Sequence, residues 1–288
     1  MYISAALHNY YYVVFSAELK NSVSLHEEKA ETHLPKQNDS GEQYMKIIDT
    51  HCHFIPYVDD GADSLQESIE IIRESARQGV EAMIATPHYR KGMFEASAEK
   101  IRKQFAHVCR IVREKGINVR LYLGCEYYAN EEMAEELLSG RHFTMANSSY
   151  VLVEFGKQVE KEYAERKIKE LVSYGYRPIT AHIERYQNLV GDMDFVREMV
   201  ESGAFVQINA GSILGAGGFS RRQTCKRLIQ ENLIHFIGSD AHGIKRRQQN
   251  LGLCREYMQD TYGYEYTNKI MSENPEKIIK EYIGWYNT

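Results

Sequence analysis

From Met45 onward, short apolar runs alternate with amphipathic segments, and this alternation restricts the chain to one class of fold. Seven runs have the length and composition of buried strands: 46–49, 80–86, 119–124, 150–155, 178–181, 205–209 and 235–238. They are rich in Ile and Val and lack clean polar alternation, as strands covered on both faces do. Helical stripes lie between them. Leu65, Ile69, Ile72 and Ala76 follow one helix face, with Ser64 as its expected N-cap. Ile101, Phe105, Val108 and Val112 form a second stripe. Ile168, Leu171 and Val172 form a third, and Phe195, Val196, Met199 and Val200 a fourth. Near the end, Asn274-Pro275 before Ile278, Ile279 and Ile283 reads as a capped helix with Pro at its first position. Strands alternating with helices predict an α/β fold with a parallel sheet, and the length from Met45 suits a barrel of βα units. An open doubly wound sheet is the structural competitor.

Residues 1–44 lack this patterning. Their polar composition predicts a disordered N-terminal extension, with residues 45–288 as the domain. His8, His26 and His33 fall in that extension and receive no role. The whole chain has 35 basic and 40 acidic residues, a balance that argues against binding nucleic acid through bulk charge. No apolar run approaches the ~20 residues of a membrane span. Five widely spaced cysteines without a CxxC pair argue against a disulfide framework and for a cytoplasmic location.

The chemistry gathers at predicted strand ends. The first ends in Asp49-Thr50-His51-Cys52-His53, the second in Thr86-Pro87-His88, the third in Gly124-Cys125-Glu126. The fourth contains Glu154, the fifth ends at His182-Ile183-Glu184-Arg185, and the seventh at Asp240-Ala241-His242. In a parallel barrel all these ends emerge on one face. His51 and His53, two apart on an extended strand, point to the same side, and so do Asp240 and His242. Glu126 has the two oxygens needed to bridge two ions. A lone His after a strand is more often structural, yet six such groups at strand ends together favour a metal site. The N/O donor set suits Mn²⁺, Fe²⁺ or Zn²⁺, and there are too many donors for one ion. Cys52 and Cys125 alternate the other way, into packing. His107, His142 and His235 read as structural. Arg185 and the Arg246-Arg247 pair offer planar forks for an anionic substrate, which points to phosphoryl chemistry. Glu184 would orient Arg185.

The motifs DTHCHF, VDDG, TPHYRKGMFE, GCEYY, VEF, AHIERY and SDAH resemble the polymerase-and-histidinol-phosphatase (PHP) superfamily. More closely, they resemble the manganese-dependent protein-tyrosine phosphatases of bacterial capsule and exopolysaccharide operons. The resemblance runs from about Met45 to the C-terminus. It implies a distorted seven-stranded (β/α) barrel with two or three manganese ions, iron or zinc being alternatives. The implied ligands are His51, His53, Asp60, His88, Glu126, Glu154, His182, Asp240 and His242. Asp60 enters through the resemblance alone. Arg185 and Arg247 match the phosphate-gripping arginines, with Arg246 one position away from the second. The implied candidate catalytic residues are Arg185, Arg247, Asp240 and His242. The implied reaction is attack of metal-activated water on phosphotyrosine of a protein, a bacterial tyrosine kinase controlling polysaccharide export. A protonated His or Asp would assist the leaving phenolate. Another PHP phosphoesterase, such as a histidinol-phosphate phosphatase, is the competing expectation, ahead of a non-catalytic metal-stabilised module or an amidohydrolase. Neither membrane insertion nor nucleic-acid binding is expected.

Overall fold

A computed structural model describes residues 45–284; the expectation for residues 1–44 lies outside the described residues. Among the described residues nine strands are formed: β1 (Ile47–Cys52), β2 (Val80–Ala85), β3 (His88–Tyr89), β4 (Arg120–Leu123), β5 (Glu126–Tyr128), β6 (Tyr150–Glu154), β7 (Arg177–Thr180), β8 (Phe205–Asn209) and β9 (Phe236–Gly238). Every pairing between them is parallel.

The nine strands make seven paths. Pro87 interrupts one path between β2 and β3, and Gly124-Cys125 interrupts the next between β4 and β5. Backbone bonds carry the pairing across both breaks: Gly124 N donates to Ala85 O (2.7 Å) and Glu126 N to Pro87 O (3.0 Å). Proline has no N–H to give a ladder, which explains the first break. The paths follow chain order around a ring. The ring closes through a parallel bridge between Cys52 and Ala241, with His53 N donating to Ala241 O (2.9 Å) and Asp240 N to His51 O (2.7 Å). This is a distorted seven-stranded parallel barrel, closed only at its C-terminal end.

Each path is returned by an amphipathic segment. The first helix, α1 (Leu65–Arg77), begins at Ser64, whose hydroxyl accepts from Glu67 N (3.1 Å) as expected. It buries Ile69 and Ile72 against the strands, each worth about 2 kcal/mol. Next, α2 (Ala98–Glu114) is capped by Ser97 and buries Ile101, Val108 and Val112. The short α3 (Met133–Leu138) is followed by α4 (Lys161–Ser173), which buries Ile168 and Leu171 but leaves Val172 at the surface, outside its expected stripe. Then come α5 (Gln187–Val190), α6 (Met193–Glu201), α7 (Ala210–Leu214), α8 (Phe219–Gln230), α9 (Leu251–Tyr262), α10 (Tyr264–Asn268) and α11 (Asn274–Gly284).

Two apolar layers result. The larger lies between strands and helices and includes Ile47, Met83, Val151, Val206 and Ile237. A smaller one fills the barrel, with Ile48, Ala82, Ile84, Leu152, Ile179 and Phe236, and Ile278 and Ile279 of α11 join it. The start of α11 differs from expectation. Asn274 is itself helical (φ −67°, ψ −47°), and a π turn, Lys269–Glu273, runs straight into the helix. The wider turn accommodates Pro275, whose ring would otherwise clash with the preceding turn. Asn274 spends its amide on His235 O (3.1 Å) instead of capping.

Candidate metal centre

Four of the five histidines expected at strand ends meet one buried carboxylate, and the fifth packs beside them. Glu126 opens β5 and is fully buried. Its Oε2 lies 3.1 Å from His51 Nε2, 3.2 Å from His53 Nε2 and 3.0 Å from His88 Nδ1. Its Oε1 lies 2.7 Å from His182 Nε2. The fifth, His242, stacks on His53 with ring centroids 3.8 Å apart. Among the described residues three groups have donor atoms close enough to share an ion: His53 with His88 and His242; His51 with His53 and Glu126; His88 with Glu126 and Glu154.

The hydrogen bonds behind these rings fix which nitrogen faces inward. Gln207 Nε2 donates to Ile208 O and Asn209 Oδ1, both at 2.8 Å, so its Oε1 is the acceptor for His182 N (2.7 Å) and His51 Nδ1 (3.3 Å). Asp59 Oδ2 accepts from His53 Nδ1 at 2.8 Å, and Asp240 O accepts from His242 Nδ1 at 3.0 Å. With each Nδ1 proton committed, His51, His53 and His242 turn their Nε2 lone pairs inward. The Nε2 atoms of His51 and His53 lie 3.1 Å apart, and neither Glu126 Oε2 nor His242 Nε2 has a hydrogen-bond partner. Facing lone pairs around a buried carboxylate need a proton or a cation between them, so these residues fit a metal centre.

The electrostatics agree. Burial holds His88 down to about 4, and burial with the neighbouring Arg185 holds His182 down to about 4, which leaves both imidazoles neutral as ligands must be. Burial opposes protonation of His53, but Asp59 and Glu126 outweigh it and raise the group to about 10, the same field that would attract a cation. Glu154, 3.7 Å from His88 Nδ1 and 3.8 Å from His182 Nε2, is pushed up to about 8 by burial and by Glu126. Asp60 is half exposed and reaches His88 Nε2 and His242 Nε2 at 3.5 Å each; the neighbouring His242 imidazole holds its carboxyl well below the usual range.

Asp240 gathers the remaining groups. It is 2% exposed, and its carboxylate accepts from Asn209 Nδ2 (2.6 Å), from Arg185 (2.5 Å) and from Arg247. Its Oδ1 is also 3.5 Å from His51 Nε2. Arg247, not the exposed Arg246, reaches the site. Glu184 is buried and accepts from Asn209 N (3.2 Å), steadying that residue rather than bonding Arg185. Left-handed backbone at His182 (φ 33°), Asp240 (φ 52°) and Arg247 (φ 48°) aims all three at the centre. Such conformations cost energy outside Gly and persist where packing enforces them.

Sequence reasoning passed over Asp59, Gln207 and Asn209. The last two had a signal: polar residues two apart inside the apolar run 205–209 face one side of a strand. Asp59 stands beside Asp60 in a doublet that nothing in the local pattern separates. Cys52 and Cys125 pack in the outer apolar layer, and burial raises both thiols far above their ordinary range. His142 stacks on Tyr89 (3.7 Å between ring centroids), and His235 Nδ1 accepts from Val206 N (3.1 Å).

Residues 47–280 match the family described as capsular polysaccharide synthesis, CpsB/CapC. The tyrosine-protein phosphatase CpsB of Streptococcus agalactiae serotype III is 32% identical over 241 residues, covering 82% of this chain and 99% of that protein. The tyrosine-protein phosphatase YwqE of Bacillus subtilis is 31% identical over 234 residues, covering 81% and 92%. A solved structure from the work on YwqE of B. subtilis and CpsB of Streptococcus pneumoniae, described as unique metal-dependent tyrosine phosphatases, superposes with a TM-score of 0.77. It shares 31% identity and covers 82% of this chain and 95% of that one. An amidohydrolase of Mycoplasma synoviae shares the fold alone, with a TM-score of 0.54 at 13% identity over 81% of this chain and 87% of that one. The extent of these matches and the clustered imidazoles lead to one assignment: the chain belongs to the CpsB/CapC family.

Proposed function

We propose that the chain hydrolyses phosphotyrosine on a protein at a centre held by His51, His53, Asp60, His88, Glu126, Glu154, His182, Asp240 and His242. It is a metal-dependent tyrosine-protein phosphatase of the CpsB and YwqE type. The observation that carries the ligand assignment is that His51, His53 and His242 commit Nδ1 outward, with the Nε2 atoms of His51 and His53 on Glu126 and the ring of His242 against that of His53. The all N/O donor set suits two or three manganese ions, with iron or zinc as alternatives.

When bound, the metals supply positive charge for phosphoryl oxygens and a water acidic enough to act as a nucleophile. The protein's own residues do the rest. Arg185 and Arg247 carry forks that fit phosphate oxygens, and an incoming dianion competes with Asp240 for them. Gln207 ties the His51 ring to the backbone of His182 across the barrel, and the Tyr186 hydroxyl holds the His182 ring through Nδ1 (3.1 Å). We assign proton handling at the leaving phenolate to His242; Asp240, held ionised against its burial by His51, Arg185 and Arg247, orients the two arginines.

The reading extends to a bacterial tyrosine kinase as phosphoprotein partner, to a domain of 45–288 and to the cytoplasm. Five free cysteines support that location, and among the described residues no helix is long and apolar enough to cross a membrane. The test combines metal analysis with turnover of a phosphotyrosine peptide and of histidinol phosphate under Mn²⁺. Hydrolysis of the peptide in preference supports the reading, and turnover of histidinol phosphate alone overturns it.

A further inference from the structure

Two loops at the mouth of the centre carry large apolar side chains that the fold does not use. Tyr57 lies on the loop that follows β1 and bears Asp60, and it is 54% exposed. Met93 lies in the turn after β3, which bears His88, and is 59% exposed. Next to it, the half-buried Phe94 lays its ring flat on the His88 imidazole, with centroids 5.2 Å apart and planes 12° from parallel. Single exposed apolar residues are ordinary. These three sit on the two loops that deliver proposed ligands.

The loops are held together, by His88 N donating to Asp59 Oδ2 (2.9 Å), and each is fastened to the barrel or its helices. Arg90 N donates to Phe94 O (2.9 Å) and Phe94 N to Arg90 O (2.8 Å), closing a tight turn in which Gly92 takes φ 78°. The Arg90 guanidinium lies 4.1 Å above the Tyr128 ring, fastening the turn to β5. Lys100 Nζ donates to Tyr57 O (2.5 Å), joining the other loop to the start of α2. The arginine side of the centre, at Arg185 and Arg247, is charged. The lip therefore offers the one kind of surface a phosphate group does not need and a phenyl ring does.

We propose that Phe94, Met93 and Tyr57 form a binding site for the aromatic ring of an aryl phosphate. Contact with an aromatic ring beyond simple burial is worth about tenfold in affinity. The proposal rests on the metal-centred reading above. Inorganic phosphate, which occupies the centre but has no ring, separates the two. In the Mn²⁺-loaded full chain, Phe94→Ala and Met93→Ala should each raise KM for phenyl phosphate, Phe94→Ala by about tenfold. The inhibition constant for inorganic phosphate should stay within about twofold of the parent. Phe94→Tyr, which keeps a ring, should restore most of the loss. Met93 is largely exposed and it is Phe94 whose ring lies against His88, so the Met93 variant reports on the lip even where Phe94→Ala disturbs His88. Unchanged KM in both alanine variants overturns the proposal. So does a parallel rise in the phosphate inhibition constant, which would make Phe94 a support for His88 only. A parent with no Mn²⁺-dependent turnover would instead overturn the reading beneath it.

Discussion

Replacing Asp59 by Asn should weaken manganese binding without abolishing turnover. The carboxylate is 1% exposed and receives three donors: His53 Nδ1 at 2.8 Å and His88 N at 2.9 Å on Oδ2, and Gly61 N at 3.0 Å on Oδ1. Burial opposes ionisation, but His53 holds Asp59 below its ordinary value, so all three bonds are to an anion. An amide of the same shape has one acceptor. Either orientation sets its NH₂ against at least one N–H, a loss of about 1.5–3 kcal/mol for a charged partner. The second consequence falls on His53, which loses the anion that keeps its proton on Nδ1 and its lone pair on Nε2. Loss of such a supporting carboxylate costs a histidine site about 10–100-fold in metal affinity. That factor is about 1.4–2.7 kcal/mol, the range reached from the hydrogen bonds. The assay is the midpoint of Mn²⁺ activation in a metal buffer, read with an aryl phosphate, followed by kcat at saturating metal. The midpoint should rise by that factor while kcat recovers to within about tenfold. A midpoint within about threefold of the parent would refute the claim that Asp59 sets the His53 tautomer.

Three further outcomes follow from the same contacts. Removing metal with a chelator should lower the melting temperature, because a ligand at 100 times its Kd stabilises by about 2.7 kcal/mol, some 5–11 °C for a domain of this size; calorimetry with and without chelator checks this. Arg247→Ala should lower kcat/KM by about 10²–10³-fold if its fork stabilises the transferring phosphoryl group, with the Mn²⁺ activation midpoint read alongside. His235 has its pKa lowered to about 4 by burial and by Lys269 and Lys277, while its Nδ1 accepts from Val206 N. A depressed folded-state pKa means the unfolded chain takes the proton first, so its contribution is whole above about pH 6.5 and is lost as pH falls toward 4. Urea denaturation at pH 7 and 4.5 should show about 2–3 kcal/mol more acid loss in the parent than in His235→Gln, and equal slopes would sink the assignment.

The barrel was legible because its apolar runs are separated by capped amphipathic segments, and Ser64 and the run 205–209 stand where that pattern puts them. The five inward histidines were legible because parallel topology carries every strand end to one face. What stayed hidden depends on contacts between paths. Asp59 and Asp60 are indistinguishable as neighbours, and only the fold buries one behind His53 while leaving the other half exposed. The choice between Arg246 and Arg247 turns on a left-handed residue at 247, which no residue preference announces. Pro275 looked like a helix start because the π turn that admits it has no compositional mark.

The site can be followed as a continuation of the barrel's interior core. Ala82, Ile84 and then His88 lie an even number of residues apart, as do Leu152 and Glu154. Apolar inward positions on these paths therefore run directly into ligand positions. Gly124 falls at the matching place before Glu126, where a Cβ would crowd Met145 Sδ (3.0 Å) and Ile84 Cγ2 (3.1 Å). Two paths break this parity. On β1, Ile48 faces inward, so an unbroken strand would turn His51 and His53 outward; a register shift between Asp49 and Cys52 reverses the alternation. On β7, Ile179 and Ala181 face inward, and the left-handed turn at His182 brings the next side chain to the same side. These two irregularities lie on the two paths that Gln207 joins, through His51 Nδ1 and the backbone N of His182. The distortion of the barrel and the convergence of its imidazoles thus have one cause: on β1 and β7 the period-two alternation gives way so that His51, His53 and His182 can meet Glu126.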